Sequence, residues 1–322
     1  MLDTQKIKST LEYARLWEYD LTVFGSNGHL YCLNTPLDEE ALSAWEAKHS
    51  LSLPQDYRDY LTKLGNGFAG PGYGIPPFSL ELFQPAWKKP CLHAPEHEEE
   101  FDHLAHAIAE WYDMEEDEDG EEDDQEEALY DAWYERFNCD GVLALGTNGC
   151  EGINGLALNG STRGFYLSLS SELEYYRSGE LGIHNKPFTV WVTEWLETVE
   201  QACSQLTQTQ LDRSKWEREW MLQFTEFWQK KDGAEMERLV SEIEKRDSIS
   251  TKCAGFLYYF SPRKRRHLPG AEHVAQMDLL RARMGNAAER QRYRLLPHII
   301  CPGDTKYAVA WNPTLEDFAA HL

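Results

Sequence analysis

With 322 residues, 42% of them hydrophobic and 12% aromatic, the chain has the material for more than one buried core and is not a disordered segment. Its net charge of −24 opposes nucleic acid and acidic membrane surfaces as partners at moderate salt and favours basic proteins. There is no basic and apolar leader, and no apolar run near the ~20 residues that a membrane helix needs, so the expected location is the cytoplasm.

In chain order, residues 1–37 read as an N-terminal extension. Ile7, Leu11, Ala14 and Leu16 fall near helical spacing within residues 1–18, and Leu21–Phe24 and His29–Leu33 flank Gly25-Ser26-Asn27-Gly28 as a hairpin would. Pro36 and Asp38 then start a helix that places Leu42 and Trp45 on one face and ends before Leu51. The stretch Leu53–Phe78, LPQDYRDYLTKLGNGFAGPGYGIPPF, organises the rest of the chain. Pro54 suits a first helical position, Asp56 complements the positive first turn, and Tyr57, Tyr60, Leu61 and Leu64 make one buried face. Gly65 offers a left-handed stop, and Gly67, Gly70, Gly72 and Gly74 come after it with Pro71 among them, which predicts a rigid glycine platform. GNGFAG matches the letters of the dinucleotide fingerprint, but here the helix precedes the glycines, whereas that motif needs a strand before them and a helix after.

Residues 96–127 hold 18 Asp and Glu and no Lys or Arg, and Asp113–Glu127 has 12 acids in 15 positions, which predicts an acidic insertion with a solvated loop at 115–124. The helical spacings of Phe101, Leu104, Ile108 and Trp111 before it, and of Leu129, Trp133 and Phe137 after it, predict two flanking helices. Strands are expected at Val142–Leu145, Leu156–Leu158 and Gly164–Leu169, with Asn159-Gly160 turning between the last two. Phe188, Trp191, Val192, Trp195, Leu196 and Val199 recur as an amphipathic helix does. Strands mixed with helices and closed by one imply an α+β domain, a twisted and largely antiparallel sheet covered by helices, over residues 38–203.

From 204 to 322 a mainly helical domain is expected. Trp216, Trp220, Phe224 and Phe227 mark one helix, and Met236, Leu239, Val240 and Ile243 another. Helices at Ala271–Met284, Ala287–Leu296 and Pro313–Leu322 and a strand at Thr305–Trp311 complete that reading. The acidity belongs to the first two-thirds: residues 1–203 have 39 acids against 12 bases, or −27, and 204–322 have 16 against 19, or +3.

The run LPQDYRDYLTKLGNGFAGPGYG resembles the central motif of the SUKH superfamily, whose members include bacterial immunity proteins and fungal regulators of cell-wall synthesis. GVLAL at Gly141–Leu145, the strand pair around Asn159-Gly160 and the tryptophan-bearing helix at Phe188–Leu196 fit the same pattern, so the resemblance spans about Asp38 to Val199. It implies a binding protein without catalysis that neutralises a cognate bacterial toxin with a basic surface, such as a nuclease, by occluding its active site. Gly67, Gly70 and Tyr73 would give the docking face its shape, with Trp87 a second aromatic anchor. Glu115, Glu116, Asp117, Glu118, Asp119, Glu121, Glu122, Asp123 and Asp124 would steer the partner, or else serve as a solvated tether.

Chemistry finds less support. The seven cysteines never form CxxC, so no zinc site or other cofactor is expected, and in a reducing compartment they read as small buried residues. His93 and His97 flank Glu96, but Pro95 spoils the helix that would align the two rings, and no G-x-S-x-G elbow surrounds Ser168, Ser170 or Ser171. Arg263–Arg266 is the one basic run: it could contact phosphate, though it is small and so negative a chain opposes a polyanion, or it could be a loop that pairs with the acidic segment of this chain or a neighbour. Two other functions remain open: an acidic scaffold regulating cell-wall or signalling proteins, and an enzyme in the helical C-terminal domain.

Overall fold

The computed structural model describes residues 2–91, 103, 106, 140–147, 153–169, 186–230 and 232–259. The acidic insertion apart from His103 and His106, its flanking helices, His93 and His97, Ser170 and Ser171, the basic run and all elements expected after residue 259 lie outside them. The fold is α+β, with a four-stranded antiparallel sheet and a mainly helical C-terminal portion. Contacts group the chain into two compact units, one within Met1–Thr4 and Leu33–Trp195, the other within Gln5–Cys32 and Leu196–Leu322.

In the first unit, the helix expected after Asp38 is present as Glu39–His49. Asp38 caps it, its carboxylate accepting the Ala41 N–H at 2.8 Å, and Leu42 and Trp45 are buried. The next helix, Gln55–Asp59, starts one residue after Pro54 and runs into a π-helical turn, Tyr60–Leu64. Its predicted face is the buried one: Tyr57, Tyr60, Leu61 and Leu64. Tyr57 and Tyr60 meet Phe188 edge-on, with ring centroids 5.5 and 5.8 Å apart.

The sheet is a meander of β1 (Val142–Thr147), β2 (Ile153–Ala157), β3 (Phe165–Leu169) and β4 (Lys186–Pro187), in that order across the sheet. Leu143 faces Leu156, Leu156 faces Tyr166, and the β1–β2 register shifts between Ala144 and Gly146. Asn159-Gly160 does not make a two-residue turn. The connection from Ala157 to Phe165 is longer, because Asn159 turns its amide to the Lys89 carbonyl at 3.3 Å and Arg163 reaches the carbonyls of Ser52 and Leu53 at 2.9 and 3.0 Å. The helix expected from Phe188 runs to Ser204. In its first half Trp191 stacks on Tyr166, 4.3 Å between centroids, which seats this helix on β3.

The second unit is helical. Thr4–Trp17 is the expected N-terminal helix, with Ile7, Leu11 and Ala14 buried. The hairpin expected after it is not there. Residues 26–29 form a single helical turn, and Leu21, Gly25, Leu30 and Tyr31 are all left-handed. The cause is a buried carboxylate: Glu18, 1% exposed, accepts the Thr22 N–H at 3.1 Å and the Tyr31 hydroxyl at 2.7 Å, which wraps the segment around it instead of laying it out as two strands. Gln208–Lys230, Gly233–Glu244 and Thr251–Tyr259 complete the unit's described helices. On the first of these Trp220 and Phe224 are buried as expected, whereas Trp216 and Phe227 are half-buried and Ser214, Glu217, Met221 and Thr225 complete the inward face.

Candidate partner-docking site

The glycine platform is built by local constraint. The π-helical turn closes with the Gly65 N–H on the Tyr60 carbonyl at 3.0 Å. Gly65 itself is extended, at φ 178°, and not the left-handed stop that the sequence suggested. A side chain is excluded there by crowding, since a Cβ would lie 2.6 Å from the Asn34 carbonyl oxygen. Asn66 then pins the loop. Its amide pairs with the backbone of Phe78, accepting the N–H at 2.8 Å and donating to the carbonyl at 3.1 Å, while the Asn34 amide donates to the Asn66 carbonyl at 2.9 Å.

Beyond Asn66 the chain doubles back. Phe68 and Ile75 exchange backbone hydrogen bonds at 2.6 and 3.1 Å, and Phe68 bridges Leu33 on its other side. The loop between them therefore sits as a small closed tongue. Its base packs against β1, where a Cβ on Gly146 would lie 2.8 Å from the Gly74 oxygen. The Tyr60 hydroxyl, held in the core, donates to the Ala69 carbonyl at 2.6 Å and ties the tongue to the helix that precedes it. Burial pushes that phenol far above its ordinary range, so it stays protonated and a donor at any physiological pH. Tyr60→Phe is expected to cost about 1–2 kcal/mol, because it leaves a buried carbonyl without its donor, and the loss is read from the urea midpoint at unchanged slope.

The residues expected to form the docking face differ in burial. Gly67 and Gly70 are buried, and what fills the space beside them is the tongue's own Ile75 and Pro76. Trp87 is 2% exposed and belongs to an aromatic core with Trp45, Phe78 and Phe83, centroids 6.2–6.5 Å away. Tyr73 is half-buried at the loop's far end. The nine acidic residues from Glu115 to Asp124 fall outside the described residues.

Phe68 is a residue that the sequence reading passes over. Half-buried, it holds φ at 89°, a left-handed conformation that costs a bulky side chain about 1–2 kcal/mol. Such strain persists only where surrounding bonds over-determine it, as the paired bridges to Leu33 and Ile75 do here. Its signal in the sequence is a bulky residue among the glycines of GNGFAG.

Residues 36–180 match the model of the SMI1 / KNR4 family (SUKH-1), a span that contains the helix, the tongue and the first three strands. This part of the chain belongs to the SUKH superfamily. Neither the curated proteins nor the solved structures contain a match to the chain. Membership of the SUKH superfamily supports immunity-type or SMI1/KNR4-type function in general, and SUKH proteins are generally non-catalytic. The backbone also gives the GNGFAG glycines a structural reading: no helix starts at Gly70, and the chain runs on as a loop to the short turn Pro85–Lys88, so the helix N-terminus a pyrophosphate needs is missing there.

Among the described residues no group of three or more His, Cys, Asp or Glu could hold a metal ion, and no helix is long and apolar enough to cross a membrane. Cys32, Cys91 and Cys253 are buried and Cys203 is half-buried, and all four are thiols rather than disulfide partners. On the SUKH domain an ion-pair cluster joins Arg58 to Glu39 and Glu46, and Arg58 also donates to Ser43 at 2.7 Å, fixing the two helices to each other.

Proposed function

We propose that the protein is a cytoplasmic, non-catalytic immunity protein that binds a cognate bacterial toxin with a basic surface, a nuclease among the candidates, and occludes its active site. The observation that carries this reading is the family match over residues 36–180. The charge supports it: an excess of 27 acids over bases in residues 1–203 draws a cationic protein from a distance and raises the rate of encounter. Contact would fall on the tongue, where Phe68 and Tyr73 are half-buried on a backbone already fixed by Asn66 and Tyr60, so that little entropy is lost on docking. Glu115–Asp124 would act at longer range, steering rather than anchoring.

Co-expression with the toxin encoded by the adjacent reading frame tests this. Growth should be restored, and the purified pair should bind one to one with an affinity that falls as salt is raised from 50 to 500 mM, because the screening length shortens from about 14 to about 4 Å over that range. Tyr73→Ala should weaken binding about tenfold or more while leaving the unfolding midpoint unchanged. Cells that die despite the co-expressed protein would overturn the proposal.

A further inference from the structure

We propose that the second unit carries a proton-operated latch: the Glu217 carboxyl holds the start of the helix Thr251–Tyr259 closed while protonated, and loosens it on ionising.

Glu217 lies in the middle of Gln208–Lys230 and is 0% exposed. Both its oxygens are engaged by one residue. One accepts the Ser250 N–H at 2.8 Å and the other pairs with the Ser250 hydroxyl. Ser250, itself 0% exposed, caps the following helix, its hydroxyl oxygen accepting the Cys253 N–H at 3.2 Å. The carboxyl is thus the sole bridge from the long helix to that cap among the hydrogen bonds described, and its protonation state is felt directly at the helix start.

The surroundings leave its charge poorly compensated. On its own helix, Arg213 lies one turn earlier but directs its guanidinium to Asp20, at 2.6 and 2.5 Å from the two carboxylate oxygens. Asp20 adds a negative charge. From the segment before it Tyr19 faces the site, 1% exposed, and from the following helix comes Cys253, 0% exposed; burial holds both well above their ordinary pKa, hence neutral. Gly233–Glu244 presents Met236, Leu239, Val240 and Ile243, all apolar and buried. Burial pushes the Glu217 carboxyl up to about 7, against the lowering effect of its two bonds from Ser250 and of Arg213.

Ionisation therefore opposes closure. A carboxyl that binds its proton more tightly in the closed state than in the open one stabilises closure fully below its ordinary value of 4.5, and loses that contribution as pH rises through about 7. Glu18, also raised by burial, is bonded to Thr22 and Tyr31 and not to this helix start, whereas Lys252, buried and pushed down to about 8, opposes closure only while charged and so regains stability above that pH. Between pH 5.5 and 7.5 Lys252 stays mostly charged, so its contribution varies little.

Amide hydrogen exchange of the full chain, corrected for the pH dependence of the chemical step, reads the opening of Thr251–Leu257. From pH 5.5 to 7.5 the opening constant of the wild type should rise about 20-fold, the ratio expected for one carboxyl with these two proton affinities. Glu217→Gln keeps an acceptor for the Ser250 N–H and cannot ionise, and its rise should stay below about threefold. A flat wild-type profile, or a variant profile parallel to it, overturns the proposal. Should the variant fail to fold, carbon-13 NMR titration of the wild-type carboxyl decides: a midpoint above 6 supports the latch, and one below 6 overturns it.

Discussion

Gly67→Ala is expected to destabilise the SUKH domain by about 2–5 kcal/mol, a large share of the roughly 5–15 kcal/mol that keeps a domain folded. Two costs combine. The backbone there has φ 77°, which destabilises an alanine by about 1–2 kcal/mol. The Cβ would also sit 2.6 Å from the Ile75 oxygen and 2.7 Å from the Pro76 oxygen. Because both obstacles are main-chain atoms, no side-chain rotation relieves the clash, and the tongue must part at the Phe68–Ile75 bridge, for an overpacking cost of about 1–3 kcal/mol. Gly160→Ala is the control. It has nearly the same φ, 81°, but its nearest neighbour is the Cys91 oxygen at 3.4 Å, so it should cost only the conformational part, about 1–2 kcal/mol. Urea unfolding of both variants at equal slope separates strain from crowding. Equal midpoints for the two would mean that the tongue yields freely, and would remove the pre-organised face on which the proposed docking depends.

That contrast also explains what the sequence could and could not reveal. The periodicities of Leu42 and Trp45, of Tyr57 through Leu64, and of Phe188 through Val199 are local, and each is buried on the face its spacing indicated, because a helix sorts its side chains before it meets a partner. β1 and β3 were legible as short apolar or alternating runs, whereas β2 starts at Ile153, three residues before the strand expected at Leu156–Leu158, and the two-residue β4 was not foreseen. The tongue was not legible either, since a glycine records freedom of the backbone and says nothing of what occupies the space beside it; Gly67 and Gly70 turn out to face Ile75 and Pro76. Phe68 hid behind its glycine neighbours. In the other unit the turns after Glu18 depended on a carboxylate that spacing alone would place in solvent, and Glu217 lay between two tryptophans as an exposed charge would. Buried charges are rare enough that a pattern reader assigns them outward, and only the long-range partners, Tyr31 for one and Ser250 for the other, reverse that. The packing of residues 5–32 within the helical unit is likewise a matter of contacts far apart in the chain, such as Ser214 donating to the Trp17 carbonyl at 3.0 Å.

Trp220→Ala should be the most damaging truncation in the helical unit, at about 3–5 kcal/mol. The indole is 2% exposed, lies against Phe224 at 5.4 Å between centroids and 19° between planes, and meets the edge of Phe256 at 6.0 Å. Phe224 and Phe256 also touch each other edge-on at 5.9 Å, so the three rings form one cluster joining Gln208–Lys230 to Thr251–Tyr259. The indole N–H donates to the Leu239 carbonyl at 2.9 Å, at a point where Gly233–Glu244 packs on the same helix. Alanine therefore removes ring contacts to one neighbour and a hydrogen bond to the other. Trp220→Phe retains most of the stacking and loses the bond, so it should cost about 1–3 kcal/mol. Hydrogen exchange localises the outcome: protection should fall in all three helices for Trp220→Ala, and chiefly around Leu239 and Ile243 for Trp220→Phe. If both variants unfolded at the same denaturant concentration, the bond to Leu239 and not the aromatic cluster would be what holds these helices together, because the phenylalanine preserves the ring and gives up only the donor.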